Sequence, residues 1–347
     1  MNRKRGFTRS RDFIIAIIVI VIIGAFLIPG SYYLGKAIES GEFGFGAKTK
    51  EEKKEVIRGV FGVYPEVMLR SATDYGDFEV SGWEKEEYEI VVTFEARARK
   101  TERAISLLDE CSAVLEKGIV EGKSEGTLKI DKPETYGSEN IRTKVEMYLP
   151  EKAYQIYFKT SYGDIGLQGI KGPRLDLSTS YGEICLRDTN NKNARLITVH
   201  GDVDVSHATI ENLDISSSYA DLELESVTGE RAHVHTSYGD IDVLNTSIAQ
   251  ADIETTYGNV FAAVSQGEYH LRTSYGDVKI DVAPESKIDF AVGAIHGSIN
   301  IKIPDVIYRF DEEDNKMGYS KGLERAKEKI KLDIQTTYGS VDIFQSF

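Results

Sequence analysis

The sequence predicts an all-β protein: a parallel β-helix, or solenoid, with rungs of about 19 residues, preceded by a small α+β cap and an N-terminal transmembrane helix. Three observations carry this. A motif of the form Thr-Ser-Tyr-Gly-Asp-Ile-x-Leu recurs along the chain, each copy alternates apolar and polar residues, and a sixteen-residue apolar run, Phe13 to Ile28, follows a basic N-terminus.

The motif is centred on Tyr162, Tyr181, His200, Tyr219, Tyr238, Tyr257, Tyr275, His296 and Tyr338, with an earlier copy at Tyr75. From Tyr162 onward the intervals are 19, 19, 19, 19, 19, 18, 21 and 42 residues. Within a copy, Ile165 and Leu167, Ile184 and Leu186, Val203 and Val205, Leu222 and Leu224, and Ile241 and Val243 fall on one face of a strand, because side chains alternate with period two. Gly166, Cys185, Asp204, Glu223 and Asp242 fall on the other. About thirteen residues after each Tyr a second alternating strand begins, as in Leu175-Asp176-Leu177 and Leu213-Asp214-Ile215. A unit this short encloses no core, so its apolar columns must be covered by neighbouring copies stacked at about 4.8 Å.

The apolar run, extended through Leu34, reaches the roughly 20 residues that a bilayer core demands. Arg3, Lys4, Arg5, Arg9 and Arg11 precede it, which places the N-terminus in the cytoplasm and the rest of the chain outside. Tyr32 and Tyr33 fall where an aromatic belt would meet the outer interface. A cleaved signal peptide is the rival reading, with Gly35-Lys36-Ala37 as a small-residue cleavage site. Either way the solenoid is exported, and an uncleaved anchor makes it a single-pass protein of the cell membrane.

Lys48 to Val60 (KTKEEKKEVIRGV) reads as a solvated helix or linker beside the membrane. Tyr88 to Arg97 alternates as a strand, Glu102 to Lys117 has helical apolar spacing, and Thr127 to Ile130 and Ile141 to Leu149 read as strands, together forming a cap. Phe310 to Lys331 is charge-dense and reads as a loop with a short helix. The organisation is thus a tail at 1–11, an anchor at 12–34, a juxtamembrane linker at 35–69, a first rung with its strand-helix-strand cap at 70–153, solenoid repeats at 154–303, a polar insertion at 304–330 and a final rung at 331–347.

Net charge of -14 disfavours nucleic acid as a partner. Cys111 and Cys185 stand 74 positions apart with no zinc-type spacing, which indicates neither a metal site nor a disulfide framework. Asp164, Glu183, Asp202, Asp221, Asp240, Asn259, Asp277, Ser298 and Ser340 form a column after the glycine. Such side chains ordinarily accept backbone N–H bonds at a corner, and bound Ca²⁺ is the alternative. Thr160, Thr179, Thr198, Ser217, Thr236, Thr255 and Thr273 align as a small polar column. The Tyr column is either an aromatic ladder that stabilises the corner or a surface for packing against sugar rings, and parity leaves open whether its rings face in or out. His207, His233, His235 and His270 show no shared column with carboxylates that would suggest a metal or a base. The Val-His-Gly-Asp sequence at His200 is similar to a polygalacturonase motif, but the companion motifs are missing. No nucleophile elbow, phosphate loop or His-Glu-x-x-His occurs. No catalytic, cofactor-binding or metal-binding residue is assigned, and no cofactor is expected.

The Gly-Asp-Ile/Val-x-Leu repeats, the copy YGDFEVSGW from Tyr75 to Trp83 and the segment EMYLPEKAYQIYFKTSYGDI resemble the putative-adhesin β-solenoid family of bacterial and archaeal envelope proteins, a domain of unknown function with LiaG-like members. The resemblance covers residues 70 to 347. It implies a right-handed β-helix at the cell envelope with no established catalytic site. Many members of that family carry Ser or Gly where this chain has Tyr. The expectation is therefore a non-enzymatic structural or adhesion module, tethered to the membrane, with a glycan or an envelope protein as partner. A polysaccharide-active β-helix enzyme and a regulatory partner in an envelope-stress system are the alternatives.

Overall fold

A computed structural model of the chain describes residues 49–345 and the two-residue strand Tyr32–Tyr33. The chain divides into two compact units, 1–32 and 33–347, and the account below concerns the second. The apolar run Phe13 to Ile28, and with it the expected transmembrane helix, lies outside the described residues.

Each rung of the solenoid contributes one strand to each of two sheets. In the rung of Tyr181, Lys171–Ser178 joins the first sheet, the chain turns at Tyr181, and Ile184–Arg187 joins the second. Successive rungs pair in parallel and in one register: Ile165, Ile184, Val203, Leu222, Ile241, Val260 and Val278 are direct partners along the second sheet. Leu177, Leu196, Ile215, Val234, Ile253 and Leu271 do the same along the first. Both columns are buried, with no member above 2% exposure, and together they form the core between the sheets. The period-two expectation holds: Asp204 and Glu223 sit on the outer face of strands whose neighbours Val203, Val205, Leu222 and Leu224 are buried.

A second corner follows the second-sheet strand. There Gly169, Asp188, His207, Ser226 and Asn245 all adopt positive φ, between 52° and 68°, in the left-handed region that Gly, Asn and Asp enter most easily. These residues recur at 19-residue spacing.

The ends of the stack depart from sequence order. Glu66–Gly82 runs unbroken through Tyr75 as the first rung, and lies between Ala153–Tyr162 on one side and the cap on the other. The cap strands Asn140–Leu149 and Lys123–Asp131 each pair with it in parallel. Tyr88–Ala98 and then Thr49–Gly59 extend the cap antiparallel beyond Asn140–Leu149. Helix Thr101–Asp109 buries Ala104, Leu107 and Leu108 against it. The segment expected to be a solvated helix or linker is therefore a strand over Thr49–Gly59. Its charges are satisfied across the sheet and locally: Lys53 is buried and donates to the Cys111 carbonyl at 2.6 Å while pairing with Glu55 at 2.9 Å. The helix expected through Lys117 ends at Asp109, because Ser112–Val120 is drawn into a hairpin with Lys123–Asp131.

At the far end, Val306–Asp311 and Asn315–Ser320 form an antiparallel hairpin on Lys287–Ala294, where a loop with a short helix was expected. Only Leu323–Arg325 is helical, as a single 3-10 turn. The last rung in sequence is not the last in space. Lys329–Thr336 pairs in parallel with Gly267–Thr273 on one side and Lys287–Ala294 on the other, and Val341–Gln345 likewise separates Val278–Val282 from Ile299–Lys302. The C-terminal rung thus slots between the rungs of Tyr275 and His296.

Deleting residues 329–347 should remove one of the two partners of Val278–Val282 and of Lys287–Ala294, which keep Val260–Val264 and Asn315–Ser320 on their other sides, so that the amides directed at the lost rung exchange far faster than in the intact chain. Ile184–Arg187 should stay protected. Unchanged protection of Lys287–Ala294 in hydrogen-exchange mass spectrometry would refute the intercalated order.

Candidate functional site

The Tyr corner is the one repeated surface that the structure concentrates into a single continuous feature. Thr, Ser, Tyr, Gly and Asp each occupy a column there, and each column has its own physical cause.

The glycine column marks the closest approach between rungs. A Cβ on Gly239 would lie 1.8 Å from the Ala220 carbonyl oxygen, and one on Gly258 the same distance from that of Gly239. The threonines stand inside the corner and donate to carbonyls of this column: Thr179 Oγ1 to Gly163 at 2.9 Å, Thr236 to Ala220 at 3.2 Å, Thr255 to Gly239 at 3.1 Å and Thr336 to Gly276 at 3.1 Å. They are the ladder expected beside the corner. One rung breaks both rules together. Gly201 has φ of 149°, the hydroxyl of Ser217 finds no partner, and Ala replaces Gly at 220. These three departures stand at one place in the stack, Gly201 and Ala220 being neighbours in the glycine column and Ser217 the residue of the threonine column in the rung of Ala220.

The acidic column binds backbone. Asp164 accepts the Glu183 N–H at 2.9 Å, Asp202 that of Asp221 at 3.1 Å, Asp221 that of Asp240 at 2.9 Å and Asp240 that of Asn259 at 2.7 Å. Asp277 accepts from Ser340 at 2.8 Å, and the Ser340 hydroxyl from Ser298 at 3.3 Å. These six side chains thus fasten their own rungs to the next, as the corner-capping reading predicts. Among the described residues no group of three or more His, Cys, Asp or Glu is arranged to hold a metal ion.

The rings face outward. Tyr75, Tyr162, Tyr181, His200, Tyr219, Tyr238, Tyr257, Tyr275, Tyr338 and His296 stack in that spatial order, with centroids 4.7 to 5.1 Å apart and planes within 20° of parallel. The tyrosines are 45–53% exposed. Ring faces lie against ring faces along the axis, so the strip shows solvent its ring edges and hydroxyls. Sugar packing needs a free face, and only the outer faces of Tyr75 and His296, at the two ends, are not covered by another ring of the ladder. The strip spans nine strand spacings, about 43 Å.

Away from the corner, the outward column of the first sheet alternates Asp with Arg or His: Asp176, Arg195, Asp214, His233, Asp252, His270 and Asp333 are successive partners. His233 and His270 thus stand in a column with carboxylates. His270 lies 3.4 Å from Asp333 on the neighbouring strand and 3.2 Å from Glu268 on its own. A polar pair across neighbouring strands is of the kind that stabilises a sheet face. The shallow depression of about 380 Å³ is lined by three arginines, Arg174, Arg195 and Arg231, interspersed with Asp214 and Asp252. The spacing of 19 that aligns this column was available in the sequence, as was that of Asp188, His207, Ser226 and Asn245.

On the second sheet, Cys185, Asp204, Glu223 and Asp242 are successive outward partners. Burial pushes the carboxyls of Asp204, Glu223 and Asp242 above the usual range, and neighbouring carboxylates push Glu223 and Asp242 further. Burial also raises the Cys185 and Cys111 thiols to about 11, which leaves both without thiolate character near neutral pH. Both cysteines are free.

Two outcomes follow from this geometry. Gly239→Ala should destabilise by about 3 kcal/mol, as severe overpacking against backbone does, whereas Ala220→Gly should cost no more than about 1 kcal/mol. Equal losses in urea titrations would remove the close-approach account. For the outward column of Asp204, Glu223 and Asp242, the folded state holds its protons to higher pH than the unfolded chain does. Its charge therefore opposes folding at neutral pH, and the penalty fades as pH falls through the raised folded values toward ordinary carboxylate ones. Glu223→Gln should raise stability at pH 7, with the gain shrinking on acidification towards about pH 4; a gain that grows with acid would contradict the sign.

No curated protein matches the sequence. Among solved structures, the chain is similar to a protein described as a putative lipid binding protein from Parabacteroides distasonis, at 14% identity over 84% of this chain and 96% of that one, with TM-score 0.47. A putative adhesin from the same organism aligns at 12% identity over 84% and 97%, with TM-score 0.46. Another from Bacteroides fragilis aligns at 13% identity over 84% and 97%, with TM-score 0.42. The family profile described as Toastrack DUF4097 matches residues 86–344, three quarters of the sequence and nearly the whole solenoid with its cap, and the chain belongs to the Toastrack family.

Proposed function

We propose that this protein is a structural or adhesion module of the cell envelope, tethered by its N-terminal apolar segment, with its solenoid outside the membrane and its Tyr corner as the contact face. The observation that carries the reading is the ladder itself. A folded monomer gains from stacking aromatic rings, but it has no need to leave eight tyrosines half in water along one line. Exposed apolar surface on that scale marks an interaction site.

The basic residues Arg3 to Arg11 before the apolar run support the orientation. A net charge of -14 keeps such a module away from anionic head groups and nucleic acid. A non-enzymatic role fits the corner, where the carboxylates are committed to backbone N–H groups, and fits cysteines held as thiols. The contact partner that suits a row of ring edges and hydroxyls is a protein surface, since a protein supplies hydrogen-bond acceptors and apolar side chains at matching depth.

Protease added to intact cells should degrade the solenoid and spare the first residues, and the protein should stay with membranes after a carbonate wash. Binding of the protein to isolated envelope material should fall at least tenfold on replacing Tyr219, Tyr238 and Tyr257 together by Ser, with the unfolding midpoint measured in parallel to separate lost contact from lost fold. A protease-resistant solenoid in intact cells would overturn the envelope location. Undiminished binding would overturn the corner as the contact face.

A further inference from the structure

The occupant of the ladder can be argued further, on the reading of the corner as a contact face but without reliance on location. We infer that the Tyr corner is a self-association surface: two copies of this chain pair side by side along their ladders, related by a two-fold axis parallel to the solenoid axis.

Four features point there. The first is pitch. The rings repeat every 4.7 to 5.1 Å, set by strand spacing. A second copy has the same repeat, so every rung meets an equivalent rung. A partner whose repeat differs by about 0.5 Å slips a whole rung over ten, given a rung of about 4.8 Å. The second is area. Eight tyrosines at roughly half exposure, each with about 200 Å² of surface, supply about 800 Å², the amount each partner contributes to a standard interface.

The third is a pattern in the column immediately before the rings. In spatial order it reads Asp74, Ser161, Ser180, Val199, Ser218, Ser237, Thr256, Ser274, Thr337 and Ile295. Wherever the ring is Tyr, the preceding residue is polar. In the two rungs where a smaller, more polar His replaces Tyr, it is an apolar residue left in water, Val199 at 37% and Ile295 at 64% exposure. A corner that only had to fold gains little from an exposed Ile. A strip that must stay apolar along its whole length needs that compensation at His200 and His296.

The fourth is charge. The Ser/Thr column flanks the rings on one side and the Asp column on the other. A two-fold axis parallel to the solenoid places the Asp column of one copy opposite the Ser/Thr column of its partner. A perpendicular two-fold would set Asp against Asp at every rung, which like-charge repulsion opposes. The contact is isologous and closes at two.

The test uses the full chain in detergent micelles, with the association constant measured by sedimentation equilibrium. Ser237, beside Tyr238, is the point of leverage, because changing it leaves the ring stack intact. Ser237→Lys places a cation opposite the partner's carboxylates and should tighten the dimer about fivefold, and Ser237→Glu should weaken it about as much; both effects should shrink in high salt. Association through the apolar N-terminal run would respond to neither. The inference is overturned by a chain that stays monomeric, by a constant that neither substitution moves, or by weakening with Lys, which would signal Ser/Thr columns facing each other. A monomer that still binds envelope material would remove the pairing and leave the adhesion reading intact. A dimer that binds none would do the reverse.

Discussion

In this fold each residue sits directly over its counterpart in the next rung, one strand spacing away, and the rest of the structure depends on that self-stacking. A column must therefore carry a side chain that tolerates a copy of itself at about 4.8 Å. Aliphatic residues do so by packing, which fills the core between the sheets. Tyrosines do so by stacking, as aromatic rings offset along a shared axis prefer. Carboxylates repel their own kind, and the corner answers this by giving Asp164, Asp202, Asp221 and Asp240 the backbone N–H of the next rung. Where an outward column lacks that escape, one solution is alternation of Asp with Arg or His, as from Asp176 to Asp333. The other is to accept the cost, as at Asp204, Glu223 and Asp242, whose raised proton affinities record it.

The same constraint explains how much of the molecule could be read from the sequence. A side chain that must match its neighbour one rung away recurs at a fixed interval, so the strands, their parity and the Thr, Asp and Tyr columns were legible between Tyr162 and Tyr275. Whether the rings face outward was not, because the corner interrupts the alternation that parity arguments use. The cap was harder. Thr49–Gly59 reads as a solvated charged segment because its one buried member is Lys53, whose partners at Cys111 and Glu55 come from the fold rather than from a pattern. Val306–Asp311 shows no alternation either, since it is a hairpin edge exposed along almost its whole length. The spatial order of the final rungs was illegible for a different reason: an interval of 42 residues says how far apart two copies are in the chain and nothing about which lies between others.

Variation within a column is as informative as its regularity. Ala220 looks like a departure from the glycine rule, yet it coincides with the distinct backbone of Gly201 and the unpartnered Ser217. Three irregularities thus fall together at one place in the stack. Exposed Val199 and Ile295 likewise coincide with His200 and His296. Self-stacking makes such pairs visible, because every rung supplies the control against which its neighbours are compared.

The ladder also has a direction imposed by where it ends. Repetition alone would let a stack of parallel rungs continue from either face, and open sheet edges invite addition of further strands. Both ends avoid this by switching to antiparallel pairing: Tyr88–Ala98 on the cap strand Asn140–Leu149, and the hairpin Val306–Ser320 on Lys287–Ala294. The intercalated C-terminal rung reinforces the same outcome. Because Lys329–Thr336 is flanked on both sides by strands that precede it in the chain, the last rung is complete only when the C-terminus arrives, and a partly made stack has a gap rather than a growing face. On the first sheet the far end no longer offers a parallel face, whereas Ile299–Lys302 ends the second sheet with its one described partner, Val341–Gln345, behind it; the lateral surface is where ring edges emerge once per rung.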